Sequence, residues 1–73
     1  MATQIVMDHT GDTRHQFDPA DAAAVAAAEA RFKELTNAGF IAAERTGPGQ
    51  SKVVAKFDPA ADETLFIPRL KGG

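Results

Sequence analysis

The feature that most constrains the fold is one uninterrupted helix-forming stretch, Pro19 to Asn37, in a chain whose other apolar residues fall in short strand-like runs. Ala dominates its first half and favours helix intrinsically. Val25, Ala28, Phe32 and Leu35 recur at spacings of three and four and so share one face. Asp18-Pro19 places a capping side chain before a proline suited to the first helical turn, and Asp21 adds charge near the positive end of the dipole. Glu29 and Lys33 form a favourable pair one turn apart on the other face. Asn37-Ala38-Gly39 ends the helix, with Gly39 suited to a left-handed conformation and Phe40 to the apolar contact beyond it.

The flanking segments read as hairpins. Ile5, Val6 and Met7 form one apolar run, and Thr13, His15 and Phe17 alternate in a second. Asp8-His9-Thr10-Gly11-Asp12 between them supplies a tight turn with Gly11 at positive φ. After the helix, Phe40 to Arg45 and Lys52 to Phe57 read as strands joined by the Gly/Pro cluster Thr46 to Ser51. Phe57-Asp58-Pro59 repeats Phe17-Asp18-Pro19, one local device in which a strand ends on Phe and Asp-Pro starts a helical turn, here spanning Pro59 to Asp62. Thr64 to Ile67 is a last short strand ended by Pro68.

Seventy-three residues make one domain near the lower limit for folding on a single core, so function must lie on the surface or the tail. Without Cys there is no disulfide framework, thiol nucleophile or thiolate metal site. No apolar stretch approaches membrane-spanning length and no basic-then-apolar leader is visible, so a cytoplasmic protein without a membrane partner is expected. A formal net charge of -2 argues against nucleic acid as a partner. Asp8, His9, Asp12 and His15 around the first turn are the one constellation with metal-binding chemistry, but turns are rich in Asp and surface His is common, so no metal and no cofactor are expected. No Ser-His-Asp order, phosphate-cradling Gly loop or paired carboxylates in a pocket points to an enzyme.

The chain closes on Arg69, Leu70, Lys71, Gly72 and Gly73. Two final glycines arise by chance in about one chain in 200, so the diglycine carries weight only through its setting. This ending, preceded by Glu63-Thr64-Leu65 and an apolar pair, resembles that of ubiquitin and its bacterial ubiquitin-like relatives. The looser Thr10-Gly11 turn, with Thr13 following, and the order of two strands, helix, two strands, helical turn and final strand are similar as well. The resemblance implies an α+β, ubiquitin-like β-grasp domain over residues 1–68, one helix packed on a mixed sheet, and a flexible diglycine tail over 69–73.

It further implies a modifier whose Gly73 carboxylate is activated and joined to amines, with Gly72 as its small neighbour. Arg69, Leu70 and Lys71 would be read by an activating enzyme or protease. The implied partners are an activating enzyme, a conjugating enzyme, a deconjugating protease and target proteins, and the domain is expected to be a monomer. Pro68 departs from the family pattern by removing a backbone donor where a central strand is expected, as does a shorter segment between helix and tail. Val6, Ile41 and Val54 are candidates for an outer partner patch if Met7, Phe40, Val53 and Phe57 face the helix, although the alternation also permits the opposite assignment. Two alternatives stand beside this reading: a non-enzymatic interaction module that binds through an exposed strand edge, and a sulfur carrier with a Gly-Gly thiocarboxylate.

Overall fold

The computed structural model describes residues 1–69. Its elements are β1 (Ala2–Asp8), β2 (Gly11–Phe17), α1 (Ala22–Asn37), β3 (Phe40–Gly47), β4 (Gln50–Val54) and β5 (Glu63–Pro68). The five strands form one mixed sheet in the order β2-β1-β5-β3-β4, and the helix packs on one face of it, making an α+β domain. β1 and β5 run parallel in the middle, and the other neighbours are antiparallel.

The first hairpin forms as its residues dictate. Only His9 and Thr10 separate the strands, Gly11 takes φ 127°, and the Asp8 carboxylate accepts from both the backbone N–H and the hydroxyl of Thr10. The helix starts later than expected, because Asp21 and not Asp18 is the N-cap, accepting from the N–H groups of Ala23 and Ala24. Asp18 caps a separate turn instead: its side chain accepts from Ala20 N–H and its carbonyl from Asp21 N–H, both at 2.9 Å. The second Phe-Asp-Pro builds the same device, with Asp58 accepting from Ala60 through its side chain and from Ala61 through its carbonyl. That second copy is a turn only, and among the described residues no helix follows it. Gly39 ends α1 at φ 101°, and the Glu29–Lys33 pair spans 3.9 Å.

Two clusters make the core: Ala2, Phe17 and Ala28 at one end of the helix, and Phe32, Ala42 and Phe66 at the other. Phe57 joins them, its ring 6.1 Å from Phe17 and 5.9 Å from Phe32. This reverses part of the expected facing. β4 ends at Val54, Ala55 and Lys56 form a bend, and Phe57 reaches the core from beyond the strand, out of phase with it. Val54 therefore packs against the helix-side cluster while Val53 turns outward, the converse of the alternation drawn through Phe57. β4 also begins earlier than expected, because Pro48 and Gly49 alone close the turn. β5 extends one residue beyond Ile67 to Pro68, which pairs with Phe40 after the β1 ladder has ended at Phe66; the missing donor falls where only β3 remains alongside.

Candidate functional site

The expected recognition and conjugation residues, Arg69 to Gly73, follow the last strand in the sequence. Leu70, Lys71, Gly72 and Gly73 lie outside the described residues. Arg69 is exposed, and its backbone N–H donates to the Gly39 carbonyl at 3.3 Å, so the chain is still tied to the end of α1 at that point. The strand that delivers it, β5, is the middle strand of the sheet and makes both a parallel and an antiparallel ladder. A tail carried by the best-supported strand has its starting point fixed.

The sheet face away from the helix is the second candidate. Ile41 pairs with Ile67, and Ala43 pairs with Leu65 on one side and Val53 on the other; Ile5 is in register with Leu65. These residues alternate with the helix-facing set of Val6, Ala42, Val54 and Phe66, so they share the opposite face. Ile5 and Ala43 are buried in its centre, while Met7, Ile67 and Val53 are exposed, Val53 to 73 %. Arg45 and Glu63, 3.6 Å apart, form a charged border. Of the expected outer patch only Ile41 lies here; Val6 and Val54 pack on the helix side, because the register of β1 and β4 places them there. Met7 and Val53, expected under the helix, belong to the outer patch, whereas Phe40 and Phe57 pack on the helix side as expected.

A third feature had no counterpart in the sequence reading. Between α1 and β2 runs a groove of about 490 Å³, floored by Val6, Ala27, Ala30 and Leu35 and bordered by Thr13, His15, Arg31 and Glu34. Beneath it Gln4, 1 % exposed, donates from Nε2 to the Ala28 carbonyl at 3.0 Å and accepts at Oε1 from Arg31 Nη1 at 2.8 Å. The amide is thus satisfied at both ends, and it holds the guanidinium at the mouth of the groove. His15, in register with Gln4, is half-buried. Burial, and then the positive charge of Arg31, hold its imidazole below its ordinary range.

The constellation of Asp8, His9, Asp12 and His15 is dispersed. His9 sits in the turn, His15 sits opposite Gln4, Asp8 is engaged with Thr10, and Asp12 is paired with Arg14 at 3.5 Å. Among the described residues no three His, Cys, Asp or Glu side chains gather as metal ligands, and no helix is long and apolar enough to cross a membrane. Gln4 escaped sequence reasoning because the apolar run that signals the strand starts only at Ile5, and a polar residue beside such a run normally marks an exposed position. Arg31, one residue before the core position Phe32, was the available signal, as it had to lie at the edge of the packed helix face. No family model, no curated protein and no solved structure matches this chain.

Proposed function

We propose that this chain is a ubiquitin-like protein modifier with a β-grasp body. The observation that carries the reading is the sheet order, in which first and last strands lie parallel at the centre and the last one leads directly into Arg69-Leu70-Lys71-Gly72-Gly73. One helix crossing such a sheet, with an apolar face left open behind it, supports a body that is handled by partners and itself performs no chemistry. Gly73, as the terminal residue or exposed by cleavage after it, is the reactive end. Its carboxylate attacks the α-phosphorus of ATP, pyrophosphate leaves, and an acyl adenylate forms. A thiol of the enzyme displaces AMP, and an amine of the target then displaces the thiol, giving an amide.

Gly72 and Gly73 carry no side chain to obstruct a narrow catalytic channel. Arg69 presents a guanidinium suited to bidentate pairing with an enzyme carboxylate, and Leu70 an apolar side chain suited to a pocket. Lys33, Lys52, Lys56 and Lys71 are the side-chain acceptors for self-attachment. This reading places the protein in the cytoplasm, with an activating enzyme, a conjugating enzyme and a protease as partners. Incubation with an activating enzyme and ATP is expected to give a thioester with the full chain and none with the Gly73 deletion. Identical behaviour of the two chains rejects the modifier, and a sulfur-for-oxygen mass change at Gly73 identifies a sulfur carrier instead.

A further inference from the structure

Among the described residues, the outer edge of β2 is left open. The strand is paired on one side only, its seven residues run in unbroken register with β1, and they include no proline and no lysine. Proteins ordinarily blunt such an edge, because its outward N–H and C=O groups are a template for another strand. The opposite edge is blunted: β4 has five residues, carries Lys52 and follows a register shift between Arg45 and Gly47. A two-residue connection closes on a pair that exchanges both backbone bonds, here Asp8 and Gly11, and bonded pairs alternate along the ladder from there. Gly11, Thr13 and His15 therefore direct their backbone groups to β1, whereas Asp12, Arg14 and Gln16 turn theirs outward.

We infer that two copies of this chain associate through β2, antiparallel about a two-fold axis at Thr13, so that their sheets join into one. The register is selected by charge. Residues directly opposite each other share a face, so the axis passes through a residue of β2; with it at Thr13, Asp12 of one copy lies opposite Arg14 of the second. Both have outward backbone groups, so each such pair exchanges its backbone bonds and sets opposite charges side by side. Within one chain Asp12 and Arg14 already pair at 3.5 Å, both more than half exposed. In the dimer the charges alternate in sign around the axis, each carboxylate having one guanidinium along its own strand and another across. An axis at Asp12 or at Arg14 would instead oppose like charges, so the neighbouring registers are disfavoured. On the other face Thr13 meets its own counterpart, a favourable cross-strand pair, and His15 lies opposite Gly11, which has no side chain to obstruct it. β4 offers no equivalent: an axis at Lys52 opposes two ammonium groups, and one at Val53 runs into the bend at Ala55. This departs from the monomer that the family resemblance implies. It goes beyond the modifier reading without depending on it, since β5 lies two strands in from this edge and the pairing involves no residue after β2.

The test is sedimentation equilibrium of the full chain from about 10 µM to about 1 mM at low salt, without ATP or any enzyme. An interface of this size is expected to dissociate on the order of 100 µM, giving a monomer–dimer equilibrium that weakens as salt is added. Arg14→Asp and Asp12→Arg each set like charges against one another across the axis, and each is expected to weaken the dimer about tenfold; the second does so even though it removes net negative charge. The double exchange, Asp12→Arg with Arg14→Asp, restores the alternation and is expected to recover the wild-type constant within about threefold. Its recovery excludes misfolding as the cause of the single losses, because it carries both changes. Amide hydrogen exchange is expected to slow at Asp12 and Arg14 between the dilute and the concentrated sample. A chain that stays monomeric at about 1 mM, a dimer indifferent to both single reversals, a double exchange as weak as the singles, species larger than a dimer, or protection gained at Met7, Val53 and Ile67 instead would each overturn the proposal.

Discussion

Gln4 shows how a single buried polar side chain ties a strand to the helix at two points. It stands on β1, anchors to the middle of α1 through the Ala28 carbonyl and fixes Arg31 one turn on. Truncating it to Ala leaves a void and removes both bonds, so Gln4→Ala is expected to destabilise the domain by about 2–3 kcal/mol in urea unfolding. Gln4→Leu fills the space, leaves Ala28 with its helical bond and lets the half-buried Arg31 turn to water, so its cost is expected to be under about 1 kcal/mol. His15 provides a pH readout at the same place. Its folded-state pKa is lowered, so below the ordinary value of 6.5 the unfolded chain binds the proton more readily than the folded one. Stability contributed by the neutral imidazole is therefore present above that pH and is lost as pH falls through it. Unfolding measured at about pH 7.5 and about pH 5.5 is expected to show this loss in the wild type and a smaller one in His15→Gln.

Among the elements, α1 was the most legible and its start the least. The spacing of Val25, Ala28, Phe32 and Leu35 identified the packed face, since in a helix periodicity alone decides which residues turn inward. Asp18-Pro19 and Asp21 both offer N-terminal signals, and only tertiary geometry chooses between them, because Phe17 must enter the core before the chain can turn into the helix. Asp21→Ala is accordingly expected to cost about 1 kcal/mol in thermal or urea unfolding, and Asp18→Ala less, as it loses a turn contact without exposing helical N–H groups. The strands were legible as elements but not in their facing. The bend at Ala55 and Lys56 breaks the alternation between Val53 and Phe57, and a two-residue period carries no information across such a break. The groove beside β2 was illegible for a related reason, since its residues come from three elements and meet only once β1 and β2 are in register beneath α1.

At the scale of the whole molecule, a small core leaves little reserve. Phe66 is fully buried at the sheet centre, with its ring 5.7 Å from that of Phe32. Phe66→Ala is expected to remove about 3–5 kcal/mol from a domain whose total lies toward the low end of about 5–15 kcal/mol. A fall in the thermal midpoint of roughly 15 °C or more, seen by circular dichroism, would match that magnitude. The same arrangement has a consequence for biosynthesis. Because β5 occupies the slot between β1 and β3, the sheet of a nascent chain leaving the ribosome stays divided until Glu63–Pro68 has emerged. Closure of the sheet is then the last folding step open to the body, and it waits on one strand of six residues.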